Sequence, residues 1–177
     1  MKEENAIILE YLPHGYPLSN KRLPIVQAIG ENGLVLLELI PRRGETFEIG
    51  EKVYIGEGKR DKISYILGRL HRENLTETAK HNLQEFIEEY VKNNEETFVK
   101  FFNESTAINK RIHQIELLPG MGKKFMVEIL EKRKEESFDS FEDIRTRIQN
   151  LPFPEKTIEK RIFQELTNRE RYNLFTN

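Results

Sequence analysis

Ile112-His-Gln-Ile-Glu-Leu-Leu-Pro-Gly-Met-Gly-Lys-Lys-Phe-Met-Val-Glu-Ile-Leu130 decides how the rest of this chain is read. Ile112, Ile115 and Leu118 recur at the spacing of one helical face, and Phe125, Met126, Ile129 and Leu130 at that of a second. Between them Pro119-Gly120 stops the first helix, Met121 plugs the hairpin from inside, and Gly122 opens the second helix. Two glycines let the backbone turn with its amides bare. The first turn of the following helix carries unpaired N–H groups and the positive end of the helix dipole, which together suit an anion. Lys123 and Lys124 stand there and add charge that a phosphate would meet.

A fainter echo follows 33 residues on, setting Leu118 against Leu151, Pro119 against Pro152, Lys123 against Lys156 and Ile129 against Ile162. Ser140 is placed to cap a connector helix bearing Phe141, Ile144 and Ile148. Phe153 and Pro154 replace Gly120 and Met121, and Glu155 replaces Gly122. The second turn therefore reads as a structural partner with little grip on phosphate, or as chance similarity.

The residues Leu118, Pro119, Gly120, Met121 and Gly122 resemble, position by position, the core of the helix-hairpin-helix family, apolar-Pro-Gly-apolar-Gly followed by a helix. The resemblance implies DNA or RNA backbone binding through the hairpin amides and a monovalent cation at the hairpin carbonyls. It departs from many members at Phe125 and Met126, where Thr and a small residue such as Ala are common. A Pro-Gly turn between two core helices is the plainer alternative, and hairpins of this kind also serve as protein-interaction modules.

The first seventy residues read as strands. Ala6–Leu12, Leu23–Ile29, Leu34–Ile40, Glu51–Ile55 and Ile63–Leu70 are short apolar runs separated by turn residues, and Glu31-Asn32-Gly33 predicts a hairpin with glycine at positive φ. Five short strands at this spacing predict a small closed or nearly closed, OB-like barrel. Arg42, Arg43, Lys59, Arg60 and Lys62 form a candidate second nucleic-acid surface on it, with Tyr54 and Tyr65 as stacking aromatics; an ordinary mixed-charge surface is the alternative. From Thr76, a candidate N-cap, Leu83, Phe86, Ile87, Tyr90 and Val91 predict a helix to Lys92. Asn93-Asn94 breaks it, and Phe98, Phe101 and Phe102 begin another. The fold class expected is α+β with two domains, a barrel over 1–72 and an all-α hairpin domain over 108–177, joined by an acidic helical connector over 73–107.

Composition narrows the function classes. Cysteine is absent, which removes disulfides, thiolate metal sites and a cysteine nucleophile, and fits a cytoplasmic protein. No apolar run approaches membrane-spanning length, and no signal peptide is apparent. His14, His71, His81 and His113 show no metal-ligand spacing and read as surface or packing residues. Gly56-Glu-Gly58 is a turn, not a phosphate-binding fingerprint. Asp139 and Asp143 invite comparison with the catalytic aspartate of helix-hairpin-helix glycosylases, but sit where a helix begins and where acids suit the dipole. The expectation is a protein that is not an enzyme and needs no cofactor. The net charge of −2 is concentrated as −5 over residues 73–107, so backbone binding must come from local geometry more than from a global field.

With its barrel, its hairpin and its closing Arg169-Glu-Arg-Tyr-Asn-Leu-Phe175, the whole chain resembles an uncharacterised archaeal family that joins an OB-like barrel to a helix-hairpin-helix region. Two readings of function follow. The first is sequence-independent nucleic-acid binding through Gly120, Met121, Gly122, Lys123 and Lys124. The second is a protein adaptor, docking a ribosomal or transcription component through the acidic helices.

Overall fold

The apolar runs of the first seventy residues become β1 (Asn5–Leu12), β2 (Ile25–Gly30), β3 (Leu36–Pro41), β4 (Lys52–Tyr54) and β5 (Ile63–Arg69) in the computed structural model, which describes residues 2–177. All ladders are antiparallel, in the order β4-β1-β2-β3-β5, and the sheet curls into a half-barrel. Its inner face follows the period of two: Ala6 and Ile8, Val26 and Ala28, Leu37 and Leu39 are buried there with Val53, Ile55 and Ile63. The barrel does not close as the strand spacing predicts. β4 and β5 each run antiparallel to strands that themselves point the same way, so a β4–β5 ladder would be parallel. A parallel pair needs a crossover of about a dozen residues or more, whereas only residues 55–62 connect these two strands.

β2 is buried along its whole length, and this forces a polar solution on its outer face. Gln27 has no exposed surface. Its amide donates to the Asn74 carbonyl at 2.7 Å and the Tyr16 hydroxyl at 3.1 Å, and its oxygen accepts from the Thr76 amide at 3.2 Å. Tyr16 donates in turn to Glu38 at 2.9 Å, and burial pushes its phenol up to about 12, so it stays a donor. Thr76 also caps α1 (Glu77–Asn93), accepting from Ala79 N at 3.0 Å, as its position predicts.

The β2–β3 turn departs from expectation. The left-handed residue is Leu34, at φ 50, not Gly33. The Glu3 carboxylate takes the amides of Asn32 and Gly33 at 2.8 and 2.5 Å, which fixes their direction and passes the reversal to the next residue. Gly33 serves close approach instead: a Cβ there would lie 2.5 Å from the Asn177 side-chain nitrogen.

Four further α-helices follow: α2 (Glu95–Glu104), α3 (Lys123–Glu135), α4 (Phe141–Arg147) and α5 (Pro154–Thr167). Contacts divide the chain into one unit of residues 1–86 with 165–177 and another of 87–164. In the second unit Phe102, Ile115, Leu118, Ile129, Ile144 and Ile162 are among the buried side chains. Two arginines tie helix ends together there. Arg133 donates to the Phe102 and Ser105 carbonyls beyond α2 at 3.1 and 2.9 Å, and Arg147 to the Lys132 and Glu136 carbonyls closing α3 at 2.7 and 2.8 Å. In the first unit the buried Glu165 holds the tail, accepting from the amides of Leu174, Phe175 and Thr176 at 2.6, 3.0 and 3.1 Å.

The cap at Thr76 yields a stability prediction. Thr76→Ala is expected to cost about 1–2 kcal/mol in urea unfolding, because the α1 cap and the hydroxyl's bond to Glu10 go together. Thr76→Ser should recover most of it; equal stability of the alanine variant would show that the hydroxyl does not anchor α1.

Candidate nucleic-acid interface

The segment before Pro119 does not become the α-helix its spacing predicts. Residues 106–113 double back, with Ile108 N donating to Ile112 O at 2.8 Å and Ala107 bridging His113, so only a single 3-10 turn, Gln114–Leu117, remains. That turn opens on a capping box. His113 Nδ1 accepts from Ile115 N at 3.1 Å, and Glu116 returns the bond to His113 N at 2.8 Å. His113 is thus a buried cap, a role visible in retrospect in the spacing His113-x-x-Glu116.

The turn itself fits the sequence closely. Leu118 is 2% exposed and Met121 3%, so the methionine is the plug its position predicts, and Met121 N closes back on Leu118 O at 3.0 Å. Gly120 takes φ 82, where other residues are strained, and a Cβ on it would meet Pro152 Cγ at 3.4 Å. Gly122 is the N-cap of α3, in extended backbone, with nothing within 4 Å of a Cβ. Gly120, Gly122, Lys123 and Lys124 are all exposed.

The start of α3 is electrostatically unlike its neighbours. α1, α2, α4 and α5 carry carboxylates in their first turns, Glu77, Glu95 with Glu96, Glu142 with Asp143, and Glu155. α3 carries none; it opens on Lys123 and Lys124 behind a cap with no side chain to offer. Among the described residues the amides of Gly122, Lys123, Lys124 and Phe125 donate to no protein acceptor, and neither lysine has an ion-pair partner. Two lysines at a positive dipole end oppose it by roughly 0.3–1 kcal/mol each.

The echo is real as a turn but in a different register. The left-handed residue of the second turn is Asn150, at φ 59, thirty positions after Gly120 and not in line with Phe153. α4 ends at the Ile148 cap as the 3-10 turn ends at Leu118, and Ser140 caps α4 by accepting from Asp143 N at 3.0 Å. The second turn is one residue longer before its helix starts, and Pro152 follows its left-handed residue by two where Pro119 precedes Gly120 by one, so matching the prolines misaligned the turns. The two turns approach where the Pro152 ring lies 3.4 Å from the position a Cβ on Gly120 would take. Arg161, buried on α5, reaches the first turn through the Leu117 carbonyl at 3.3 Å, a contact with no motif to announce it. Asp143 accepts from Asp139 N at 3.1 Å and pairs with Arg147 at 3.3 Å, a helix-start arrangement.

On the half-barrel, Arg42, Arg43, Lys59, Arg60 and Lys62 come together at the end where β3 leaves and β5 enters, since Arg42 N donates to Lys62 O at 2.8 Å. Three are already engaged: Arg42 Nε donates to Arg60 O and Arg60 Nε to Gly56 O at 2.8 and 2.7 Å, and Lys62 pairs with Glu51 at 2.5 Å. Tyr65, 46% exposed, lies on β5 in register with Ile40 of β3. Tyr54, 39% exposed, has its ring against Gly56 and Gly58, and its hydroxyl accepts from Gly58 N at 3.1 Å. Among the described residues no group of three or more His, Asp or Glu could hold a metal ion, and no helix is long and apolar enough to cross a membrane.

The model of a family described as "Protein of unknown function (DUF655)" matches residues 2–177. The chain is 45% identical over 175 residues to the uncharacterized protein MJ0038 of Methanocaldococcus jannaschii, covering 98% of this chain and 79% of that one. It is also similar to the crystal structure of Af1531 from Archaeoglobus fulgidus, with TM-score 0.86 and 42% identity over 99% of this chain and 100% of that one.

Two predictions follow from the geometry of the turn. Gly120→Ala is expected to destabilise by about 1–2 kcal/mol, because it forces a Cβ into left-handed backbone against Pro152. Gly122→Ala, with open space, should cost less than about 1 kcal/mol; the reverse order in urea unfolding would contradict the turn described. His113 should make stability pH-dependent. Burial, reinforced by the Arg133 charge, holds its imidazole below the ordinary 6.5, and only the neutral ring accepts from Ile115. As pH falls through 6.5 the unfolded chain takes up the proton first, so this contribution is whole above that pH and is lost toward the folded-state value below it. Unfolding at about pH 7.5 and about pH 5.5 should show a smaller loss for His113→Asn, which keeps a neutral cap, than for the wild type.

Proposed function

The chain belongs to the DUF655 family, so its activity has to be argued from its own residues, and we propose that it binds the backbone of a nucleic acid, DNA or RNA, without reading sequence and without catalysis. The contact is a helix-hairpin-helix turn at Leu118–Gly122, degenerate in its first helix and paired with the Asn150 turn. The observation that carries this reading is the start of α3: bare amides, a glycine cap, no carboxylate and two exposed lysines. A free helix end of that composition is electrostatically unsatisfied, and a phosphate would satisfy it through N–H donors and charge at once. A monovalent cation on the turn carbonyls belongs to the same reading. Arg43 and Lys59, exposed beside Tyr65, are the half-barrel's contribution as a second contact surface. Because α5 starts on Glu155, the second turn carries its own anion and contacts no phosphate.

One observation supports the adaptor reading as an alternative. Glu85, Glu88 and Glu89 are exposed along α1 in the most acidic part of the chain, and suit a basic surface on a ribosomal or transcription component.

Fluorescence-anisotropy binding at low salt, with single-stranded, duplex, junction and structured RNA probes, tests both. Affinity is expected to fall with salt on a modest slope, that of about 2–4 neutralised phosphates. Lys123→Glu/Lys124→Glu should abolish binding. Gly122→Asp should do the same while leaving stability unchanged or raised, since it adds a cap and an acid to the dipole. Binding that survives both variants in folded protein would rule the turn out. Loss of a protein partner on Glu88→Lys/Glu89→Lys, with no binding to any probe, would favour the adaptor.

A further inference from the structure

A second cationic feature lies wholly within the unit of residues 1–86 and 165–177, and no residue of the hairpin lines it. A cleft of about 490 Å³ opens between the end of β5, the turn after it and the C-terminal segment. Arg69, His71, Arg72 and Arg169 line it, all exposed. Arg69 Nη1 donates to the Asn177 carbonyl at 3.4 Å, which seats that guanidinium against the tail. Among the described residues the side chains of Arg72 and Arg169 have no ion-pair or hydrogen-bond partner.

The acids nearby do not neutralise this group. Glu165 lines the cleft, and its oxygens accept from three backbone amides and the Thr176 hydroxyl, which hold its carboxylate toward the tail. With Glu73 it makes two side-chain carboxylates in the lining, against the three guanidiniums of Arg69, Arg72 and Arg169. A concave surface concentrates such a field. Leu36, Leu70 and Leu166, all buried, supply an apolar floor beneath it.

We propose that this cleft binds the terminal phosphate of a nucleotide, with the phosphate between Arg72, Arg169 and Arg69 and the sugar or base over the leucine floor. Guanidinium forks match phosphate oxygens in pairs. A phosphomonoester carries roughly −1.5 to −2 at neutral pH, more than an internal phosphodiester, and so answers three arginines better. The volume lies in the range that holds a molecule of nucleotide size. The same chemistry is offered by a free nucleoside monophosphate and by the phosphorylated end of a strand.

The test uses the full chain and three probes. They are a 3′-labelled single-stranded oligonucleotide with a 5′-phosphate, the same strand with a 5′-hydroxyl, and adenosine 5′-monophosphate as competitor. The phosphorylated strand is expected to bind about tenfold tighter than the hydroxyl one, the worth of one or two charge-assisted bonds. Arg72→Ala/Arg169→Ala should erase that preference, and its melting temperature should match the wild type, since both side chains are exposed. Lys123→Glu/Lys124→Glu should still bind adenosine 5′-monophosphate as tightly as the wild type does. Competition by the monophosphate supports the cleft with a free nucleotide as sufficient ligand; a preference that the monophosphate cannot compete supports it with the strand end as ligand. Equal binding of the two strands together with no binding of the monophosphate overturns the proposal. The hairpin reading is judged separately, on whether Lys123→Glu/Lys124→Glu loses the hydroxyl strand.

Discussion

At Gly120 the backbone turns at φ 82 with the Pro152 ring 3.4 Å from where a Cβ would sit, and the second unit is arranged around that close approach. Glycine takes this left-handed backbone without strain. With the two turns this close, Leu118 and Met121 are carried inward to join Ile115 and Ile129 in the core. Buried Arg161 then reaches across from α5 to the Leu117 carbonyl, satisfying a group left bare when the 3-10 turn ends after four residues. The chain leaves the turn through Gly122, so α3 starts at the surface with its first amides outward.

Helix ends account for much of the polar chemistry in this unit. The C-termini of α2 and α3 are closed by Arg133 and Arg147, whose guanidiniums bring donors and positive charge to the negative end of each dipole. The N-termini of α2, α4 and α5 carry carboxylates. α3 breaks this rule at its start alone, with lysines where the others have acids.

The half-barrel rests on a different constraint. β2 is covered along its whole length, so Gln27 on its outer face must find every partner within the protein. It does so by fixing Tyr16, Asn74 and Thr76, and thereby the point at which α1 begins. The open seam between β4 and β5 is the cost of a short connection, and it leaves β5 as an edge with Tyr65 and Leu67 exposed.

Local periodicity and local hydrogen-bond chemistry were enough for the five strands, the cap at Thr76, the break at Asn94, the cap at Ser140 and the turn around Met121, because each depends on neighbours within a few residues. The same local reading went astray where a distant residue intervened. Glu3 took the amides of the Asn-Gly turn and moved the left-handed residue to Leu34, and the bridge from Ala107 to His113 consumed what spacing alone made a helix. The bare start of α3 was legible in Gly122, Lys123 and Lys124. By itself, then, the sequence determined the five strands, most of the helices and the placing of two glycines and two lysines at one turn, since propensity, capping and charge are properties of adjacent residues. Only the tertiary structure decided that the sheet stays open, that Pro152 approaches Gly120, and that Arg69, Arg72 and Arg169 share one cleft, because those facts join residues up to a hundred positions apart through contacts no local pattern encodes.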